Sequence, residues 1–236
     1  MSPFDEAELE FDASTFSGTA RLFPLPNLVL YPHVMQPLHI FEDRYREMLE
    51  DALATDSLIA MAVLEPGWEP DYDSRPPVNP WACLGKVVAH NRLPDGRYNL
   101  LLLGVGRIRI VKELPPLRSF RQAKVELVED CCEFSSACAQ HKLQEKLLTA
   151  FRDHLPCSCQ MPEQLEEILS QQLPLGLLTD LAAYALPLEA PVKQRLLAEP
   201  RVVARAETLL AELHKQRVGS GSANALPGFP PRFSEN

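Results

Sequence analysis

Long apolar runs are missing from this chain. No stretch approaches the ~18 consecutive apolar residues of a membrane-spanning helix. The start, Phe4-Asp-Glu-Ala-Glu-Leu-Glu-Phe-Asp12, is acidic where a secretory leader begins basic and continues apolar, so a cytoplasmic protein with no membrane association is expected. Positive charge is also short. Lys and Arg number 23 against 32 Asp and Glu, giving a formal net charge of −9. Phosphate neutralisation supplies most nucleic-acid affinity, so this balance argues against nucleic acid as a partner. Catalytic signatures are lacking too. There is no Gly-x-x-x-x-Gly-Lys-Ser/Thr phosphate loop, and Gly85-Lys86 has neither the upstream glycine nor the following hydroxyl. No Gly-x-Ser-x-Gly elbow, His-Glu-x-x-His or paired-carboxylate pattern occurs. His33, His39, His90 and Asp95 could supply a base and an orienting group, but nothing in the sequence places them together. No enzyme and no cofactor is expected.

Structural metal spacing is absent as well. Cys131-Cys132-x5-Cys138 and Cys157-x-Cys159, with His141 and His154 nearby, lack the two-residue gap of paired zinc ligands. Reduced cytosolic thiols are the expectation, with no metal, and Cys83 reads as a buried apolar residue.

What the chain has is proline-punctuated apolar sequence. The apolar fraction of 46% over 236 residues allows a real core in one large domain or two small ones. Leu22 to Phe41 carries Pro24, Pro26, Pro32 and Pro37, which excludes a long helix but admits short extended pieces at Leu28–Tyr31 and Gln36–Ile40. From Glu42 the period becomes helical, with Tyr45, Met48, Leu49, Ala52 and Leu53 on one stripe and Glu42 and Asp43 in the first turn. Residues 1–20 lack periodicity and read as an acidic, disordered arm.

Leu58–Leu64 is a short apolar run between turn signals, hence a buried strand. The next span, Glu65–Pro80, holds five prolines and a glycine and must be a long loop. Trp68 and Tyr72 lie in it and Trp81 follows it. These aromatics either pin the loop to the barrel or form a contact surface for an extended peptide. Trp81–Arg92 and Arg97–Leu103 form a hairpin about Pro94-Asp95-Gly96. Gly104-Val-Gly106 is a bend or bulge. Arg107–Val111 then puts Arg107 and Arg109 on a solvated face opposite its isoleucines, and Phe120–Val128 buries Ala123, Val125 and Leu127. These strands with one early helix suggest a small, partly closed barrel over residues 21–130.

From residue 131 to 217 the period is helical. One helix starts at Ser135 or Ser136 and runs through Leu143, Leu147, Leu148 and Phe151; others open at Pro162 and Pro174. Pro191 and Pro200 frame a short one, and the last carries Val202, Val203, Ala206, Leu209, Leu210 and Leu213 on one stripe. Residues 218–236, rich in Gly, Ser and Pro, read as a disordered tail. The fold class is α+β, a barrel subdomain followed by a bundle of short helices.

Three blocks carry a family resemblance. Leu22-Phe-Pro-Leu-Pro-Asn-Leu-Val-Leu-Tyr-Pro-His-Val-Met-Gln-Pro-Leu-His-Ile-Phe41 resembles the start of the N-terminal substrate-binding domain of ATP-dependent Lon proteases. Gly96–Ile110 and Leu181–Leu197, the latter with Lys193-Gln194, are similar to later blocks of that domain in the same order. The resemblance covers about residues 20 to 215. It implies a pseudouridine-synthase-and-archaeosine-transglycosylase-like (PUA-like) barrel, and a stand-alone recognition module without the ATPase and serine–lysine peptidase modules of the full-length protease.

The expected function is therefore binding of unfolded or degron-bearing polypeptides. Trp68, Tyr72 and Trp81 would be the aromatic contacts, and Gln36, Leu38 and Ile40 would lie on a strand whose edge accepts an extended peptide. The alternative is an adaptor that docks a protein partner through the helical bundle. A small-molecule or RNA module is a third class, which the acidic charge weighs against.

Overall fold

A computed structural model describes residues 11–72, 74–132, 137–154 and 173–219. The chain divides between Glu129 and Asp130 into two units.

The first unit has strands β1 (Thr19–Leu25), β2 (Met35–Ile40), β3 (Leu58–Val63), β4 (Trp81–Arg92), β5 (Tyr98–Glu113) and β6 (Arg121–Val128), with helix α1 (Asp43–Leu53) between β2 and β3. The sheet order is β2-β5-β4-β3-β1-β6, and β6 also pairs with β5. Five strands therefore close into a barrel, and β2 hangs on β5 as an extension. β5 serves both because of its 16 residues: Tyr98–Leu103 pair with β2 and Arg107–Glu113 with β6. β1 and β3 are parallel, and the crossover such a pair requires carries β2 and α1.

The barrel interior holds Ala20, Ala60, Ala62, Ala82 and Ala123 among Leu22, Leu58, Leu84, Ile108 and Val125. Closure over so few strands leaves a narrow bore, and alanines fit it. Outside the barrel, α1 packs on β1 and β3. It buries Tyr45, Met48, Leu49 and Ala52, the stripe its spacing predicts.

The first strand is where the sequence expectation has to be corrected. It is Thr19–Leu25, not Leu28–Tyr31, and Phe11 and Phe16 of the expected arm pack against the barrel core. Pro24 is tolerated because the β6 ladder on that side of β1 ends at Leu22. Val29, Leu30 and Tyr31 are buried but not in a strand; Asn27 and His33, at φ 60° and 65°, turn the chain on either side of them. Residues 1–10 lie outside the described residues.

Of the bend or bulge expected at Gly104–Gly106, the structure has the bulge, within one continuous strand. Gly85 pairs with Gly104 and Leu84 with Gly106, so Val105 is the extra residue. A Cβ on Gly104 would stand 2.0 Å from the Tyr31 carbonyl oxygen, which leaves room for glycine alone. Arg107 departs from expectation: it is buried, whereas Arg109 is exposed and paired with Glu126 at 2.7 Å.

The second unit contains α2 (Ala137–His154), α3 (Leu175–Ala185), α4 (Ala190–Ala198) and α5 (Val202–Gly219) among its described residues. α5 packs on α2 and α3, and α3 on α2 and α4. Leu147, Phe151, Leu178, Ala182, Leu209 and Leu213 are buried. Pro174 caps α3 and Pro191 lies in the first turn of α4, where a missing N–H leaves no bond unmade. Buried Arg205 is held by Asp130, at 2.8 and 2.5 Å, and by Thr179 at 3.2 Å. The helix expected to open at Pro162 and the cap at Ser135 or Ser136 lie outside the described residues, as does most of the expected tail.

Candidate functional site

The N-terminus of α1 and the proline-rich loop build one site. Glu42 is the N-cap but makes no side-chain capping bond. Its carboxylate instead accepts from Tyr72 Oη at 2.6 Å and from Arg44 Nε at 2.9 Å. The Arg44 guanidinium lies over the Tyr45 ring at 4.7 Å and the Tyr72 ring at 4.9 Å. Trp68 meets Tyr72 edge-on at 5.4 Å. Burial, together with the bond to Glu42, raises the Tyr72 pKa.

At its neck the loop is closed by a Leu64–Val78 bridge, by Glu65 N–H to the Pro77 carbonyl (2.9 Å) and by Asn79 N–H to the Val63 carbonyl (2.8 Å). It is an Ω-like loop whose tip is tied to α1. Trp68 and Tyr72 are thus brought together. Trp81 stands at the start of β4 opposite Arg109 and makes no ring contact with either among the described residues.

β2 leads into this cluster through Phe41 and Glu42. Gln36, Leu38 and Ile40 are buried, so what they could offer a peptide is the strand's backbone edge and not their side chains. β2 is the last strand in the sheet order, with β5 as its one neighbour among the described residues. Pro37 fits there because a strand with one neighbour need not donate on both sides.

The opposite face of β2 was missed by sequence reading. Met35 and Phe41 are exposed, at 41% and 40%, with half-buried Pro37 and His39 between them, and His39 stacks on Phe41 at 6.2 Å. Across the ladder, Leu103 pairs with Met35 and Leu101 with Pro37, both half-buried on the same face. The period-2 alternation was available as a signal. Both faces of β2 are largely apolar, however, so alternation alone does not say which one is outward.

The remaining candidates are separately engaged. His39 Nδ1 is 2.7 Å from Asn99 Oδ1, and Asp95 accepts from Arg97 Nε at 2.6 Å. His33 and His90 are exposed. Cys83 is buried, as expected, and Cys131, Cys132 and Cys138 are exposed. His154 lies between the carbonyls of Ala150 (2.8 Å) and Leu213 (3.1 Å). Among the described residues no group of three or more His, Cys, Asp or Glu side chains could hold a metal ion; Cys157 and Cys159 lie outside them. No described helix is long and apolar enough to cross a membrane.

This arrangement, a barrel with a strand extension followed in the chain by helices, matches the fold of solved Lon N-terminal domains. The Lon N-terminal domain protein from Xanthomonas campestris superposes with a TM-score of 0.60 at 23% identity, over 82% of this chain and 97% of that one. The N-terminal domain of the Mycobacterium avium complex Lon protease gives 0.63 at 16% identity, over 83% and 98%. The family model for the ATP-dependent protease La (LON) substrate-binding domain matches residues 19–215, and the chain belongs to that family. In sequence it is similar to the Lon proteases of Brevibacillus choshinensis (29% identity over 199 residues) and Azospirillum brasilense (27% over 188 residues). These matches cover 83% and 80% of this chain but only 25% and 23% of those proteases, so the chain spans about a quarter of the curated relatives' length.

Proposed function

We propose that this domain is a non-catalytic recognition module of the cytoplasm that binds exposed apolar segments of unfolded or degron-bearing polypeptides. The observation that carries the reading is the row Met35, Pro37, His39 and Phe41 on β2, the last strand in the sheet order among the described residues. A bound peptide would add as a strand to the edge of β2, gaining main-chain hydrogen bonds, and lay apolar side chains against the row. Trp68, half-exposed on the loop tied to Glu42, extends the surface beyond Phe41. The family membership supports a substrate-binding role. Ordering a flexible chain opposes association, so single-site affinity is modest.

The test is fluorescence anisotropy of a labelled, reduced and alkylated polypeptide with the wild-type protein and with Met35→Asp/Phe41→Asp. Both positions are exposed, so the fold is retained. The double variant should weaken binding about tenfold or more, and wild-type binding should persist in about 1 M salt, where charge attraction is screened. Equal affinity of variant and wild type would refute the reading.

A further inference from the structure

The first unit contains a cleft of about 620 Å³ lined by four arginines, Arg44, Arg75, Arg118 and Arg121, with Tyr45 and Phe120 in its wall. Such a concentration of guanidinium groups is conspicuous in a chain of net charge −9. The four differ in how firmly they are held. Arg121, 8% exposed, donates to the Glu113 carboxylate and to the Pro76 carbonyl at 2.8 Å. Arg44, 24% exposed, is paired with Glu42 at 2.8 Å. These two are structural parts of the wall.

Arg75 and Arg118, at 33% and 53% exposure, have weaker claims on their partners. Arg75 lies 3.9 Å from Glu113, the carboxylate Arg121 already occupies, and reaches the Leu114 carbonyl at 3.3 Å. Arg118 lies 3.6 Å from Asp51, whose carboxylate Arg21 holds at 2.6 Å. Ser119, also in the lining, donates its hydroxyl to Glu47 at 2.5 Å. Two guanidinium forks therefore share one cleft, each with its nearest carboxylate held more closely by another arginine.

We propose that this cleft binds an oxyanion, a carboxylate or a phosphate, carried on a polypeptide. Planar guanidinium groups match both oxyanions with paired N–H donors. The occupant is a single anionic group and not a polyanion. A nucleic acid would have to lay further phosphates along an acidic surface, whereas one acidic or phosphorylated side chain, or a C-terminal carboxylate, needs only the cleft. The inference builds on the polypeptide-recognition reading and adds a charge preference to it: clients with an acidic group near an apolar segment bind better than neutral ones.

The experiment uses the full chain in a low-chloride, phosphate-free buffer. Three fluorescent peptides share one apolar segment and carry phosphoserine, glutamate or glutamine at one position; a mixed-sequence single-stranded oligonucleotide is the fourth probe. They are titrated with wild type and with Arg75→Gln/Arg118→Gln, exposed positions whose loss spares the Arg44–Glu42 and Arg121–Glu113 pairs. The charged peptides should bind about tenfold tighter than the glutamine peptide. The double variant should bind all three alike, and the ratio between phosphoserine and glutamate separates the two oxyanions. Equal wild-type affinities, or a preference that survives in the variant, would overturn the proposal. So would tighter binding of the oligonucleotide, lost in the variant. A fifth arm separates this inference from the function beneath it, namely the thermal midpoint with inorganic phosphate alone. A rise in wild type that is absent in the variant supports the cleft even if no peptide binds. No rise, with the glutamine peptide bound as tightly as the charged ones, leaves the recognition reading standing and removes this one.

Discussion

The hydroxyl of Tyr72 donates to the carboxylate of Glu42 at 2.6 Å across 30 residues of chain. This bond fastens the tip of the proline-rich loop to the N-terminus of α1, and Arg44 lies over the Tyr72 ring while donating to the same carboxylate. Glu42 thereby organises the loop in place of capping its helix.

Tyr72→Phe removes that bond and keeps the ring against Arg44 and Trp68. A half-buried, charge-assisted hydrogen bond of this kind contributes about 1 kcal/mol. The expected outcome is a loss of that size in denaturant unfolding, with faster proteolytic cleavage within residues 65–80. Unchanged cleavage would show that the closed neck at Leu64 and Val78 holds the loop unaided.

Arg205 is 1% exposed. Burial works to lower its pKa, but the bond to Asp130 and the charges of Asp180 and Asp130 outweigh it, so the guanidinium remains a cation. Arg205→Met withdraws that cation from Asp130 and from buried Asp180, 3.8 Å away. Breaking a buried pair on one side costs about 3–5 kcal/mol, so the helical unit should lose a large part of its stability in urea unfolding followed by circular dichroism. A loss below about 1 kcal/mol would show that the carboxylates are satisfied without the arginine.

Lys193 is depressed by burial to a pKa of about 8, and its Nζ donates to the Tyr184 carbonyl at 2.8 Å. Unfolding restores the ordinary value of 10.5, so between about pH 8 and 10.5 the unfolded chain binds more protons and this group's contribution to stability rises with pH. Below about pH 8 the lysine is charged in both states and its burial opposes folding by an amount on the order of 3 kcal/mol. Lys193→Met should therefore stabilise the protein at pH 7, with an advantage that shrinks toward pH 10.5. Thermal melts of both proteins across that range check it, and an advantage independent of pH would contradict it.

Much of the fold was legible where local chemistry decides structure. Pro94-Asp95-Gly96 made the β4–β5 turn readable, and Gly96 takes the positive φ of 86° that only glycine adopts freely. The α1 stripe and the prolines opening α3 and α4 were legible for the same reason. A partly closed barrel was legible from the run of short strands, but which strands pair to close it was not, because that depends on β1 finding β6 a hundred residues later and on β5 pairing with three strands. The site divides along the same line. Trp68 and Tyr72 stood out as aromatics in a long loop. The outward row on β2 was hidden by the apolarity of both its faces, and the arginine cleft draws on positions 44, 75, 118 and 121, which only the folded chain assembles.

The most direct measurement is a hydrogen-exchange footprint of the protein with and without a reduced, alkylated polypeptide at saturating concentration. Recognition at the edge of β2 predicts slower exchange across Met35–Ile40 and Phe41, with a smaller effect on the loop around Trp68. Protection confined to α2–α5, with residues 35–41 unchanged, would contradict it and assign binding to the helical unit.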